Sequence, residues 1–274
     1  MRTLTVQMLG LMLLGVAQAA SSKLETLSVQ SPALDKSMSV RVYLPADYDE
    51  KQRYPTLYLL HPYGGDATFW LGKLNTQEVL DKLIEQKKIR PMIVVSPDYD
   101  NSFAVNSRQG IAGVSSGRYA DYLAQELVPY IDNKYSTLTN RDNRYIGGTS
   151  MGGYAALYLG LTRTELFSKI GAQSAALWDG KDDLYTDQRD WLYATPELKK
   201  DRDPFQLIKR VNLKSLLFRL DVGKSDPLKE VNEHFVRDLR EAGANVEFTE
   251  EKGGHDMEYW SSQLGDLLVF FGKE

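Results

Sequence analysis

Short apolar runs alternate with amphipathic stretches along most of the chain. Runs such as TLYLL, MIVVS and SLLFRL are almost continuously apolar, as strands covered on both faces of a parallel sheet require. The stretches between them repeat their apolar positions with a helical period. We therefore predict an α/β fold with a mostly parallel central sheet, helices on both of its faces and an antiparallel N-terminal edge. The predicted strands are 23–30, 38–44, 56–61, 92–96, 144–148, 169–172, 215–222 and 246–250, and the predicted helices are 76–88, 119–134, 154–161, 229–242 and 258–271.

One segment, 177–210, breaks this alternation. It is rich in charged residues, contains two tryptophans and has no clear strand periodicity. A long insertion of this kind usually forms a lid or cap beside a site. The alternative is a surface excursion with a short helix at 205–210. Because the rest of the chain contains no internal repeat or low-complexity linker, 21–274 is predicted to form a single domain.

The first twenty residues have the features of a signal peptide. A short basic start at Arg2 is followed by an apolar run, and the sequence AQA at 17–19 has the small-x-small pattern of a cleavage site. The apolar run is too short for a spanning helix and is not followed by a cysteine that could carry a lipid. We therefore predict that 1–20 is removed, that the protein is periplasmic or secreted, and that it has no stable membrane anchor.

Composition excludes several classes of function. The net charge is −4 and no long run of lysine and arginine occurs, so nucleic-acid binding is not expected. The chain has no cysteine, which removes disulfides and thiol chemistry. The oligomeric state is left open by these properties.

The stretch YIGGTSMGGY at 145–154 contains four glycines around a single serine. Gly148-Thr149-Ser150-Met151-Gly152 matches the G-x-S-x-G nucleophile elbow, a tight turn between a strand and a helix. Such a turn brings the residues two before and two after the serine together, so a Cβ at either glycine would clash. The pattern predicts Ser150 as a nucleophile, and the alternative is a flexible loop with an incidental serine.

A serine nucleophile needs a base, and the chain contains only three histidines. His255 lies in a glycine-rich loop between the last predicted strand and the last predicted helix, which is the position expected for a base. His234 falls within a helical pattern, and His61 ends a predicted strand. Both are interpreted as structural residues, so His255 is the predicted base.

The acid that orients the histidine is expected after the predicted strand 215–222. Asp221 and Asp226 both occur there, and Asp226 is favoured because the loop beyond Gly223 lets it turn back towards the histidine. The chain order Ser, Asp, His is that of the α/β-hydrolase fold.

The oxyanion formed during acyl transfer needs two N–H donors. Met151 follows the serine at the start of a helix and is predicted to supply one of them. The second is expected from the loop HPYGG at 61–65, where Pro62 lacks an N–H and Tyr63 is the predicted donor. A simple Pro/Gly turn is the alternative for this loop.

Five segments together resemble one family. They are LYLLHPYGGDATFW, VVSPDYDNSFAVN, YIGGTSMGGYAAL, DVGKSDPL and GGHDMEYW. Together they resemble the esterase D (feruloyl esterase-like) family of α/β-hydrolases, which includes feruloyl and acetyl-xylan esterases, siderophore trilactone esterases and mycolyl transferases. The resemblance implies an α/β-hydrolase fold, with Ser150, Asp226 and His255 as the triad and Tyr63 and Met151 as the oxyanion hole. The family usually has glycine at the position of Pro62.

The resemblance indicates the type of reaction but leaves the substrate open. We expect a serine carboxylesterase that needs no cofactor or metal and acts on a small-molecule, glycan or siderophore ester. The alternatives are an acyltransferase of the mycolyl-transferase type, a siderophore trilactone esterase, and a binding module that keeps only the fold. Trp70, Asn101 and Trp178 are predicted to contact the substrate. A calcium loop at 98–101 is disfavoured because the EF-hand spacing is absent.

Overall fold

An eight-stranded sheet forms the centre of the molecule. The computed structural model describes residues 21–181 and 184–273, so the predicted signal peptide lies outside the described residues. Neighbouring strands follow the order β1-β2-β4-β3-β7-β8-β9-β10, and β5 pairs with β6 in a small separate hairpin. The strands are β1 Lys23–Ser31, β2 Lys36–Leu44, β3 Thr56–Leu60, β4 Ile93–Pro97, β5 Asn106–Ser107, β6 Gly117–Arg118, β7 Arg144–Thr149, β8 Lys169–Gln173, β9 Leu217–Gly223 and β10 Asn245–Glu251.

The burial of the strands explains their sequences. Every residue of β3, β4 and β7 is buried, because helices cover both faces of the middle of the sheet. Strand β1 alternates between buried and more exposed positions and pairs with β2 in antiparallel register. Strand β2 is also antiparallel to β4, whereas the remaining pairs in this sheet are parallel. The predicted mostly parallel sheet with an antiparallel N-terminal edge is confirmed.

Helices cover the two faces of the sheet and enclose separate cores. One core includes buried side chains of α2, α3, α4 and α8, and the other includes those of α1 and α9. A π-helical stretch, Tyr122–Leu127, joins α2 to α3, and another, Phe69–Lys73, precedes α1. The α-helices are α1 Thr76–Glu85, α2 Tyr119–Asp121, α3 Val128–Lys134, α4 Met151–Thr162, α5 Thr186–Leu192, α6 Pro196–Arg202, α7 Pro204–Leu207, α8 Lys229–Glu241 and α9 Met257–Gly272. Within the described ranges, no helix is both long enough and apolar enough to cross a bilayer.

The segment 177–210 packs against the fold through its three short helices. Leu192 and Phe205 are buried in the core shared with α4. The Tyr154 hydroxyl of α4 donates to the carbonyl of Arg202 at 2.9 Å. These contacts fix the described part of the segment to α4, and we call this part the cap.

Parallel strands place their carboxyl ends at one edge of the sheet, which is where open α/β folds bind ligands. The loops that follow β3, β7, β9 and β10 all leave this edge. They carry the predicted oxyanion donor Tyr63, the serine, the predicted acid and the predicted histidine, respectively.

Candidate active site

Ser150 occupies a sharp turn between β7 and α4. Its backbone has φ +56° and ψ −117°, a conformation that costs a non-glycine residue on the order of 1–3 kcal/mol. The surrounding chain holds this conformation through hydrogen bonds. The Ser150 N–H donates to the carbonyl of Gln173 at 2.9 Å, and the Ser150 carbonyl accepts from the N–H groups of Tyr154 and Ala176, each at 3.0 Å. The serine is therefore presented by a rigid turn, and the flexible-loop alternative does not describe it.

Two glycines make this turn sterically possible. A Cβ on Gly148 would lie 2.3 Å from the carbonyl oxygen of Gly152, and a Cβ on Gly152 would lie 2.1 Å from the carbonyl oxygen of Leu60. The chain passes itself and β3 too closely for any side chain at either position. This is the steric role that the G-x-S-x-G pattern predicts.

Ser150, His255 and Asp226 form a continuous line of hydrogen bonds. The Ser150 Oγ lies 2.9 Å from His255 Nε2, and His255 Nδ1 lies 3.0 Å from Asp226 Oδ2. The other carboxylate oxygen of Asp226 accepts from the N–H of Leu228 at 2.8 Å. Burial opposes ionisation of Asp226, but the hydrogen bond and charge interaction with His255 outweigh it and hold the pKa of the carboxyl below its usual value. The structure thus brings together the three side chains that the sequence singled out.

The other candidates for base and acid point elsewhere. His234 Nδ1 lies 2.8 Å from Asp179 Oδ2, in a contact between α8 and the segment 177–210. His61 is fully buried beneath the loop that follows β3. Asp221 is also fully buried and accepts a hydrogen bond from the Tyr259 hydroxyl at 3.2 Å, and its burial raises the pKa of the carboxyl to about 7.

Two backbone N–H groups beside Ser150 are free to bind a ligand atom. In the loop 62–65, the Gly65 N–H donates to the carbonyl of Pro62 at 2.9 Å and the Gly64 N–H donates to Asn101 Oδ1 at 2.7 Å. Among the described residues, no acceptor lies within hydrogen-bond distance of the Tyr63 N–H or of the Met151 N–H. Both residues line the same cavity as Ser150. Their N–H groups are therefore available in the place where an oxyanion hole is expected.

A cavity of about 470 Å³ opens in front of Ser150 and His255. Its wall is mainly apolar and aromatic, which suits a flat or apolar part of a substrate. The cap contributes one tryptophan, one tyrosine and one glutamine to this wall. The remaining wall residues come from loops at the carboxyl edge of the sheet, from the first turns of α4 and α9, and from the π-helical stretch before α1. Besides His255, the aromatic residues of the wall are Tyr63, Phe69, Phe103, Trp178, Tyr185 and Trp260, and its other side chains include Lys73, Gln188 and Met257.

The predicted substrate contacts are only partly on this wall. The prediction for Trp70 is wrong: its side chain is 0% exposed and packs in the core between the sheet and α1, while the preceding Phe69 faces the cavity. The prediction for Asn101 is also wrong, because its side chain holds the Gly64 N–H instead of lining the cavity. Trp178 does line the cavity, and its indole N–H donates to the carbonyl of Leu184 at 2.7 Å.

The sequence interpretation missed other wall residues. Trp260 packs edge-on against the His255 ring with the ring centroids 5.2 Å apart. The sequence feature that could have identified Trp260 is its position five residues after His255, one turn into α9. Phe103 has a left-handed backbone conformation within the loop after β4, and no local pattern reveals that it turns towards Ser150.

A family model described as "Putative esterase" matches residues 31–271. The chain belongs to this esterase family. It is therefore a carboxylic ester hydrolase with the α/β-hydrolase fold, as the resemblance of its five segments implied.

Curated relatives include enzymes with two different named activities. The chain is 24% identical to an acetyl esterase of Caldicellulosiruptor saccharolyticus over 266 residues, which is 89% of this chain and 96% of that protein. It is 32% identical to an endo-1,4-beta-xylanase/feruloyl esterase of Xylanibacter ruminicola over 154 residues. That match covers 54% of this chain and 21% of the longer protein, so the chain spans about a fifth of that relative.

Solved structures share the fold over nearly the whole chain. A ferulic acid esterase superposes with a TM-score of 0.80 at 26% identity, covering 93% of this chain and 99% of the other. FphF, a fluorophosphonate-binding serine hydrolase of Staphylococcus aureus, superposes with a TM-score of 0.76 at 21% identity, covering 93% and 100% of the two chains.

Proposed function

We propose that this esterase is a serine carboxylesterase in which Ser150 is the nucleophile, His255 the general base and Asp226 the acid that orients the histidine. The observation behind this proposal is the line of contacts from Ser150 Oγ through the imidazole to the Asp226 carboxylate, at 2.9 Å and 3.0 Å. This arrangement is the one that converts a serine hydroxyl into a nucleophile near neutral pH.

Hydrolysis then runs through an acyl-enzyme. His255 Nε2 takes the proton of Ser150 as Oγ attacks the ester carbonyl carbon, and the carbonyl oxygen becomes an oxyanion. His255 returns this proton to the alcohol oxygen as the C–O bond breaks, which leaves the acyl group on Ser150. Water activated by His255 attacks the acyl carbon, and the acid is released with the serine restored.

The surrounding groups stabilise the charges that develop along this path. Asp226 accepts from His255 Nδ1, so it holds the tautomer that leaves Nε2 free and stabilises the imidazolium. The N–H groups of Tyr63 and Met151 are the proposed donors to the oxyanion. Loss of one such donor typically lowers kcat by about 10²- to 10³-fold.

The aromatic wall favours an ester with a flat acyl group. Phe69, Phe103, Trp178 and Trp260 enclose the space in front of the serine, so an aromatic acid such as a hydroxycinnamate would be held by offset or edge-on ring contacts. Relatives named feruloyl esterase are consistent with this choice. The relative named acetyl esterase makes short acyl esters the second group of substrates to test.

The test compares the wild type with three variants on p-nitrophenyl acetate, p-nitrophenyl butyrate and methyl ferulate. Ser150→Ala and His255→Ala are expected to lose nearly all activity. His234→Ala, which removes a histidine that contacts Asp179 outside the site, is expected to keep it. A fluorophosphonate probe should label the wild type at Ser150 and leave Ser150→Ala unlabelled. Wild-type rates in Ser150→Ala would refute the proposal.

The same acyl-enzyme would also support acyl transfer to an alcohol. One set of assays adds a sugar or lipid alcohol and follows the products, and acylated alcohol in excess of free acid would make the protein a transferase. A siderophore trilactone belongs in the ester panel because relatives include the iron(III) enterobactin esterase of Escherichia coli K12, 24% identical over 248 residues. The ester with the highest kcat/KM identifies the substrate class.

We also propose that the enzyme is exported after loss of residues 1–20. The basic start, apolar run and AQA sequence support this. Amino-terminal sequencing of protein recovered from the periplasm or medium is expected to begin near residue 20 or 21. An intact Met1 in fully active cytosolic protein would contradict it.

A further inference from the structure

The loop 62–65, which carries the Tyr63 N–H, is only weakly stabilised by contacts within the loop. It contains Pro62 and two glycines, Gly64 has φ +73°, and the Tyr63 side chain is 42% exposed. One hydrogen bond within the loop, from Gly65 N–H to the Pro62 carbonyl, closes a turn but does not orient that turn against Ser150. The direction of the Tyr63 N–H must therefore be set by contacts from outside the loop.

One of these contacts comes from Asn101. Its Oδ1 accepts the Gly64 N–H at 2.7 Å, directly beside the N–H that is proposed to bind the oxyanion. Asn101 and the preceding residue are themselves held by contacts with other segments. Its carbonyl accepts from the Ser115 N–H at 3.2 Å, and the neighbouring Asp100 carboxylate is paired with the ammonium group of Lys36 at 2.5 Å.

Two further contacts hold the adjoining residues of the loop. The Tyr63 hydroxyl donates to the carbonyl of Gly113 at 2.6 Å, so the exposed ring is tied to the same long connection, 98–116, that carries Asn101. Beneath the loop, Nδ1 of the fully buried His61 lies 2.9 Å from the Pro62 carbonyl. Three consecutive residues, 62–64, are thus each fixed by a side-chain hydrogen bond.

We propose that Asn101 is a positioning residue for the oxyanion hole: it holds Gly64 so that the Tyr63 N–H points at the oxyanion. This inference rests on the proposed function, in which Tyr63 N–H is an oxyanion donor. Asn101 acts through the loop and does not touch the substrate, because its side chain is absent from the cavity wall. Its effect should be large for a small displacement, since an error of about 1 Å in a catalytic group can reduce the rate by 10²-fold.

The test compares Asn101→Ala with Asn106→Ala. Asn106 lies in the same connection and its Oδ1 also accepts a backbone N–H, that of Asp121 at 3.2 Å, but it does not contact the loop 62–65. Asn101→Ala is expected to lower kcat by roughly 10- to 100-fold for acetyl and aromatic esters alike, with KM little changed. Asn106→Ala should keep wild-type kcat.

A boronic acid inhibitor supplies a readout that a merely structural role would not change. It forms a tetrahedral adduct on the serine and places an oxygen in the oxyanion hole, so its affinity should fall in Asn101→Ala in parallel with kcat/KM. Tyr63→Phe, which removes only the hydroxyl contact to Gly113, should show a smaller loss of the same kind. The double variant should deviate from additivity because both contacts fix one loop.

Three results would overturn the inference. They are a folded Asn101→Ala with wild-type kcat and inhibitor affinity, an effect confined to the KM of one ester, and strict additivity with Tyr63→Phe. If instead Ser150→Ala kept wild-type activity, the proposed function itself would fail. The two failures are therefore distinguishable in one set of variants.

Discussion

The backbone at Gly152 passes so close to β3 that a Cβ placed there would lie 2.1 Å from the carbonyl oxygen of Leu60. This contact joins the first turn of α4 to the end of the strand that leads into the loop 61–65, which carries the proposed oxyanion donor Tyr63. Ser150 directly precedes α4, and Tyr63 lies in the loop directly after β3. The contact therefore couples the position of Ser150 to that of Tyr63.

Replacing this glycine should disturb both stability and activity. Gly152→Ala must push α4 away from β3, and overpacking of this kind costs roughly 1–3 kcal/mol in free energy of unfolding. Activity should fall further than stability predicts, because Ser150 moves with α4. Thermal denaturation and ester hydrolysis measure the two effects.

The matched control is Gly265→Ala in α9, where an added Cβ meets nothing within 4 Å. Alanine is a better helix former, so this variant should be as stable as the wild type or slightly more stable. Equal stability of both variants would contradict the steric role assigned to Gly152.

The two aspartates after β9 should differ sharply in their effect on rate. Asp226→Asn keeps an acceptor for the Leu228 N–H but loses the carboxylate on His255 Nδ1. The histidine then loses its preferred tautomer, and kcat should fall by about 10⁴-fold. Asp221→Asn should have a much smaller effect on kcat, because its carboxylate contacts Tyr259 and not His255. Steady-state kinetics of both variants decide the question, and the reverse order would assign the acid role to Asp221.

Asp221 should also make stability depend on pH. Burial raises the pKa of its carboxyl from 3.8 to about 7, against the lowering effect of Arg219 and with a further increase from Asp266. Between these two values the folded state binds more protons than the unfolded chain, so the free energy of unfolding falls as pH rises through this range.

Asp221→Asn removes this titration. Urea denaturation at pH 5 and pH 7 should show that the wild type loses about 2 kcal/mol relative to the variant over this interval. Asp226 has the opposite sign, since its lowered pKa gives stability that is lost only as pH falls below its usual value of 3.8. Parallel pH profiles for wild type and Asp221→Asn would show that the buried carboxyl does not titrate in this range.

Tyr185 should contribute to the choice of acyl group. Its side chain is 46% exposed at the cap side of the cavity, and its backbone φ of +52° is better tolerated by asparagine than by alanine. Tyr185→Asn should raise KM for methyl ferulate by roughly 3- to 10-fold through loss of an aromatic contact and leave acetyl esters unchanged. Tyr130→Ala in α3, which is 37% exposed and away from the cavity, is the control. Equal effects on the two esters would show that Tyr185 has no role in specificity.

Local regularities in the sequence were sufficient to predict the eight strands of the central sheet and the serine turn, but not the short hairpin of β5 and β6. The apolar runs gave the positions of β3, β4 and β7 because a strand covered on both faces must be apolar throughout. The elbow followed from G-x-S-x-G because its clashes involve residues close together in the chain. The helix after the serine was predicted to start at 154 instead of Met151, since Gly152 and Gly153 conceal the beginning of α4.

The direction of individual side chains was decided only by the tertiary structure. Phe69 and Trp70 are adjacent and both aromatic, yet one faces the cavity and the other is enclosed in the core. Asn101 was predicted to contact the substrate and instead supports Gly64, a residue 37 positions earlier in the chain. Local conformation depends on neighbours in sequence, so a pattern reveals it. The partner of a side chain depends on how distant segments pack, and no short pattern records that.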